Sequence, residues 1–340
     1  MMRLSFLGLV LVLLLNACGD ASRKDILPPN TGSKGEVLVV APSIVWSTAY
    51  SDIINQYMNK IMYGLPQEEL LLKRLEVKED GFADMFKTHR NVLKIEVNPS
   101  ESSSVKVKHN VYARQQLFVV IQLRSLEDLE QVAKDRMDQI LDLFHNAEID
   151  RLLDRNKDFG EPELNKEISE HTGLNIIMQN DYQVAVKDSG FMWLRLDQSK
   201  PLGGYQHAIS QGIMIYSRLY KDTLNFSDTS IYNWKNRINQ QFVSGPQNSY
   251  MSISDRFLLP KSQRITFLDQ TAVEVRGLWR MEGYFMGGPF YSLVFYNPEN
   301  KLQYMVEGYA YAPQFDKAPL IRQIEAIAKS AKPITYEETN

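Results

Sequence analysis

The chain has one cysteine in 340 residues, Cys18, so no intramolecular disulfide can staple its fold. Each domain must therefore be stable through apolar packing alone. The composition supplies the material: 44% of residues are apolar, and 17 Tyr and 15 Phe offer large side chains of the kind that dominate core energetics. The length beyond Cys18 suits two domains of ordinary size. Charged residues make up 23%, with 38 Lys and Arg against 41 Asp and Glu, a net charge of −3. That balance gives no electrostatic footprint for nucleic acid and no strong pull toward anionic lipid heads. No nucleic-acid partner is expected.

Residues 1–17 read as a lipoprotein signal peptide. Arg3 supplies the positive n-region, and residues 4–15 form an almost wholly apolar run of h-region length. A spanning helix would need roughly 20 such residues. Leu15-Asn16-Ala17-Cys18 resembles a lipobox, so Cys18 is the expected lipid-attachment residue. Acylation would use up a thiol that is otherwise a liability in an oxidising envelope, and two or more chains give stable membrane attachment. Residues 18–35 then read as a tether. Asp20, Arg23, Lys24, Asp25, Pro28, Pro29 and Asn30 cannot build a core, and the extended segment would reach roughly 50 Å at about 3.3 Å per residue.

Periodicity divides the remainder into an N-terminal α+β domain at 36–160 and a C-terminal α+β domain at 161–340. In the first, residues 36–41, 92–97 and 117–123 are apolar runs of strand length, and 105–111 alternates with Lys106 and Lys108 outward. Residues 47–62 carry helical spacing. The strongest helix starts after Ser125, with Leu129, Ala133, Met137, Ile140 and Phe144 on one face. Its pattern continues toward Phe159-Gly160, so it either bends near Asn146 or is a rod joining the domains. The C-terminal domain reads as strands at 174–178, 182–187, 191–196 and 212–219, a helix at 229–242, and a meander over 264–311. A last helix follows at 318–332. Helices packed on largely antiparallel sheets predict an α+β class in both domains, and the element order of the C-terminal domain resembles a Mog1/PsbP-like sandwich.

Three segments together carry a wider resemblance: Phe86-Lys87-Thr88-His89-Arg90-Asn91, Glu274-Val275-Arg276-Gly277-Leu278-Trp279 and Phe285-Met286-Gly287-Gly288-Pro289-Phe290. With Gly35-Glu36-Val37-Leu38-Val39-Val40 behind a lipobox, the chain resembles an uncharacterised lipoprotein family of the Bacteroidota, a domain of unknown function. The resemblance implies a diderm envelope and the outer membrane. It implies no reaction, cofactor or partner.

The residues themselves offer little chemistry. His89, His109, His145, His171 and His207 show no paired ligand spacing and no HExxH, so no metal is expected. No GxSxG elbow, GxGxxG or Walker loop occurs, and no cofactor is expected. His145, beside Phe144, reads as a helix flank. The candidate ligand or partner site draws on three places. His89 could serve as an acid or base and Arg90 could fork onto a carboxylate or phosphate; the alternative is a basic helix end with Asn91 as its cap. Glu274 and Arg276 stand at i,i+2 on one strand face, as an ion pair or a ligand clamp. Gly287 and Gly288 join two strands, either as a plain hairpin connection or as a loop over a cleft bounded by Trp279.

The expected function is a non-catalytic, lipid-anchored envelope protein that binds an envelope protein or a small ligand. The rivals are an envelope hydrolase with a dispersed active site and a small-ligand-binding lipoprotein. The expected place is the outer membrane, facing the periplasm, with exposure at the cell surface as the alternative.

Overall fold

The computed structural model describes residues 27–334. The expected signal peptide, Cys18 and the start of the expected tether lie outside them. The remainder of the expected tether is not free chain: Thr31 N donates to Thr88 O and Arg90 N to Thr31 O, both at 2.9 Å, and Gly32 packs on the His89 ring.

The first domain contains β1 (Glu36–Ala41), α1 (Ser43–Trp46), α2 (Tyr50–Met58), β2 (Lys73–Lys78), α3 (Asp84–Lys87), β3 (Asn91–Val97), β4 (Ser104–His109), β5 (Leu117–Leu123) and α4 (Leu129–Phe159). Its strands lie in the order β2-β1-β3-β5-β4. Here the expectation of a largely antiparallel sheet is corrected. β1 pairs parallel with β2 and β3, and β3 pairs parallel with β5; β4 alone runs antiparallel. The reason lies in the connections, because 42–72 and 79–90 are long enough to cross over and return in the same direction. The unbroken apolar runs of β1 and β5 are what a sheet buried on both faces requires. One face packs Val37, Val39, Leu93, Val119 and Ile121 against Ile54, Met58, Met137, Ile140 and Phe144 of the helices.

Helix α4 is continuous for 31 residues, about 46 Å at 1.5 Å per residue. It does not bend near Asn146 but runs on as the rod of the alternative reading. Ser125 opens the preceding 3-10 turn, yet its side chain caps no backbone N–H. Beyond the first core, Ile149 and Leu152 meet Ala326 of the last helix.

The second domain contains α5 (Pro162–Thr172), β6 (Leu174–Asn175), β7 (Gln183–Asp188), β8 (Phe191–Leu202), β9 (Tyr205–Leu219), α6 (Asp228–Phe242), β10 (Tyr250–Ser254), β11 (Lys261–Phe267), β12 (Gln270–Glu282), β13 (Gly287–Asn297), β14 (Leu302–Tyr311), α7 (Ala318–Lys329) and β15 (Lys332–Pro333). Eight strands form an antiparallel sheet in the order β10-β12-β13-β14-β9-β8-β7, with β11 beside β10 on the outer edge of β12. The α+β class and two-domain layout are as the sequence leads one to expect. Alternation along the strands builds three layers. Tyr291, Leu293, Phe295, Tyr304 and Val306 face α5 and α7; Phe290, Val294, Met305 and Tyr309 face α6. Pro201-Leu202-Gly203-Gly204 is the tip of the β8–β9 hairpin. Gly203 and Gly204 both have positive φ (59° and 83°), as a tight two-residue turn demands.

The domains interlock. Met62 and Leu65, from the segment after α2, join the core of the second domain. Glu69 caps the N-terminus of α7 from across the boundary, accepting from Lys317 N and Ala318 N at 2.8 Å each. Glu69→Ala removes the acceptor from both donors and is expected to cost about 1–2 kcal/mol. Urea unfolding measures this, and Glu69→Gln, which keeps one oxygen acceptor, is expected to recover some of the loss.

Candidate functional site

A groove of about 670 Å³ runs between the domains, enclosed by α4, the segment 60–71, β11, β12 and α7. Ile61, Leu71, Ile149, Leu153, Ile265 and Phe267 give it apolar walls, and Glu325 lies at its floor. Strand alternation sets this up. In β12, Val273 and Val275 turn toward α6, so Glu274 and Arg276 turn toward α7. In α7, Glu325 falls within the buried stripe of Ile321, Ile324 and Ala328.

A carboxylate with 1% of its side chain exposed must be paired. Glu325 Oε2 accepts from Arg276 Nη2 at 2.7 Å and from His145 Nε2 at 3.0 Å. Its Oε1 accepts from Lys329 Nζ at 2.8 Å. Lys329 reaches on to Glu274 at 3.2 Å, and Tyr291 Oη donates to Glu274 Oε1 at 2.7 Å. Burial pushes the Glu325 carboxyl up, but Arg276, His145 and Lys329 outweigh it and hold the group well below the ordinary carboxylate range. Burial likewise pulls Lys329 and Arg276 down; the carboxylates Glu325 and Glu274 outweigh it at Lys329, and Glu325, Tyr291 and Glu274 at Arg276, so both stay raised. Two buried atoms of this cluster, His145 Nδ1 and Arg276 Nη1, have no hydrogen-bond partner among the described residues.

His89 and Arg90 lie elsewhere, at the start of β3. The His89 ring is 4% exposed and both its nitrogens are taken, Nδ1 by Asn91 O and Nε2 by Glu36 Oε1, at 2.9 Å each. Arg90 Nε stands 3.0 Å from Glu148, a buried carboxylate of α4 that also accepts from Asn91 Nδ2 at 2.8 Å and Arg151 Nη1 at 2.6 Å. Burial pulls Arg151 down to about 10. This cluster fastens α4 to β3. Asn91 is therefore a buried bridging residue rather than a helix cap.

Trp279, Gly287 and Gly288 occupy a third place. Trp279 lines a pocket of about 380 Å³ with Trp193, Met251, Met281, Met286 and Tyr309. Gly287 and Gly288 are the first residues of β13, not a loop. A Cβ on Gly288 would stand 2.1 Å from Ala310 O, so glycine is needed for strand packing under Trp279.

The structure thus brings Glu274 and Arg276 together with His145, Glu325 and Lys329, none of the last three singled out as site residues from sequence. His145 is 8% exposed, buried in the interface rather than on a helix flank. The available signal was a charged residue inside an apolar helical stripe: Glu325 in α7, and Glu148 between Phe144 and Leu152 in α4. Ser103 and Lys106 also stand at Ser-x-x-Lys spacing, but Ser103 Oγ donates to Asp128 Oδ2 at 2.5 Å and Lys106 Nζ to Gln122 Oε1 at 2.8 Å. Among the described residues, no group of three or more His, Cys, Asp or Glu is arranged to hold a metal ion, and no helix is long and apolar enough to cross a membrane.

Residues 161–330 match the family model described as Domain of unknown function (DUF4837), which is half of the chain. Residues 30–157 match a second, Domain of unknown function (DUF8532). No curated protein matches the chain.

The depressed Glu325 carboxyl makes stability depend on pH. Its ionised form contributes fully above the unfolded carboxylate range, about pH 5 and higher, and that contribution is lost as pH falls toward the folded value. Glu325→Gln leaves Arg276 and Lys329 short of counter-charge and is expected to cost about 3–5 kcal/mol at pH 7. Urea midpoints at pH 7 and pH 4 check this: the natural chain should lose more between them than the variant. Equal losses would place the acid sensitivity in other groups.

Proposed function

The chain belongs to the DUF4837 family, and from its geometry we propose that it is a non-catalytic, lipid-anchored envelope protein that binds a small amphipathic ligand in the groove between its domains. One observation carries the reading: the side chains of His145 and Arg276 line a groove with apolar walls, and one buried nitrogen of each, Nδ1 and Nη1, has no hydrogen-bond partner among the described residues. Buried polar atoms left unpaired cost roughly 1–3 kcal/mol each, and a polar ligand head that draws these two side chains toward the groove would give both atoms a partner. Four lysine or arginine side chains and four aspartate or glutamate side chains line the groove. That balance favours a neutral or zwitterionic head over a strongly charged one. The apolar walls suit an acyl or ring body.

The anchor at Cys18, the outer-membrane address, the Bacteroidota affiliation and the Mog1/PsbP-like architecture belong to the same proposal. The three-layer second domain supports the last of these. The hydrolase alternative draws support from the His145 ring, which Glu325 holds in place beside the groove.

Thermal shift of the full chain with neutral, zwitterionic and anionic amphiphiles of equal tail length tests the groove. The neutral or zwitterionic set is expected to stabilise the natural chain, and His145→Gln to weaken binding by about tenfold, the effect of one hydrogen bond. Unchanged binding in that variant would move the site elsewhere, and turnover of an ester-bearing amphiphile lost in the same variant would favour the hydrolase. Intact mass measurement after Cys18→Ser, which should abolish acylation and release the chain from membranes, tests the anchor separately.

A further inference from the structure

The first domain has another concavity, unrelated to the groove. A largely parallel sheet normally carries helices on both faces. Here α2 and α4 cover one face, whereas the other holds only a small cluster under Phe82, Phe86 and Val111. The register puts a defined set of side chains on that open face. Val92, Lys94 and Glu96 of β3 pair with Phe118, Val120 and Gln122 of β5, and Lys108 and Lys106 of β4 pair with Phe118 and Val120. Directly paired residues share a face.

The result is a basin of about 220 Å³. Its aromatic side is a mutual edge-packed trio: Phe82 and Phe118 at 6.2 Å between ring centroids, Tyr112 and Phe118 at 5.9 Å, and Phe82 and Tyr112 at 6.5 Å. Its polar rim carries Lys87, Lys94, Lys106 and Lys108 against a single carboxylate, Glu96. Lys94 is committed to Glu96 and Glu79, at 2.7 and 3.3 Å. Lys87 pairs with Asp84 at 2.9 Å and stands 5.9 Å over the Tyr112 ring, Lys106 pairs with Glu101 at 3.3 Å, and Lys108 has no salt-bridge partner among the described residues. Exposed pairs of this kind are weak, and Asp84 and Glu101 lie on the solvent side, with 98% and 53% of their side chains exposed, so an anion seated over the low-dielectric floor can exchange for them at Lys87 and Lys106 and take Lys108 directly.

We propose that this basin is a binding site for a small aromatic anion, with its flat ring against Tyr112 and Phe118 and its phosphate, sulfonate or carboxylate among Lys87, Lys106 and Lys108. Neither feature alone selects such a ligand. The ring floor by itself admits any apolar molecule, and the lysines by themselves admit any anion; their juxtaposition within one small volume requires both in one molecule.

Calorimetric titration of the full chain with 2-naphthyl phosphate, 2-naphthol and inorganic phosphate tests this. Naphthyl phosphate is expected to bind at least tenfold more tightly than either fragment, and several-fold more weakly when salt rises from 50 to 300 mM, since exposed lysines are screened. The double variant Lys106→Gln/Lys108→Gln alters exposed side chains and should keep its circular dichroism spectrum while losing at least tenfold in affinity. Tyr112→Leu should remove the advantage over inorganic phosphate. His145→Gln, which probes the interdomain groove, should leave the titration unchanged. Absence of binding at millimolar ligand, equal affinity for a fragment, or equal affinity in the double-lysine variant would each overturn the proposal.

Discussion

A buried carboxylate, Glu325, joins the last helix of the second domain to the long helix of the first. Removed from water it must be paired: Lys329 one turn on in α7 and Arg276 on β12 come from its own domain, and His145 on α4 reaches it across the boundary. Separation of the domains would take His145 from it and leave only Arg276 and Lys329. Glu148 has the same role a turn further along α4, held by Arg90, Arg151 and Asn91. Both carboxylates act through one helix, so the orientation of α4 is fixed from the first sheet and from the last helix together. Apolar contact at this junction is thin, being Ile149 and Leu152 against Ala326.

Much of the fold was legible because it follows from local rules. The apolar runs of β1, β3 and β5 and the striped face of α4 identify themselves, as do the meander and the proline-led last helix. Strand direction did not, because apolar alternation reports burial and not polarity. The parallel pairing of β1, β3 and β5 follows from the length of the crossovers between them, a quantity that the runs themselves do not carry. β10 is hidden in the sequence because Tyr250-Met251-Ser252-Ile253-Ser254 follows a turn of positive-φ residues, Gln247 and Asn248, and reads as a continuation of a polar loop.

The site was legible only in halves. Glu274 and Arg276 announce a pair by their spacing, but not the pair they make. Each reaches a partner on α7 rather than the other, and His145 joins from 180 positions away. Sequence spacing carries no information on such contacts. What it does carry is the anomaly of Glu325 and Glu148 inside apolar stripes, where an acid is tolerated only with a buried counter-charge. His89 shows the opposite case. Its polar neighbourhood suggests chemistry, yet Asn91 O and Glu36 occupy both ring nitrogens, and the cluster is spent on holding β3, the segment around Thr31 and α4 together.

Stability alone does not account for a cluster like that around Glu325, since well-packed apolar residues of similar volume hold an interface as well or better. Apolar residues cannot, however, line an open, solvated groove without presenting a greasy slot. The ionic floor lets the domains meet on a polar surface while Ile61, Leu71, Ile265 and Phe267 keep the walls apolar. His145 Nδ1 and Arg276 Nη1 are already buried without a partner among the described residues, and filling the groove with hydrocarbon would leave nothing near them to supply one. The polar floor and the open volume above it therefore require each other: the charges that lock α4 to α7 are also what keep the space between the domains from filling with side chains.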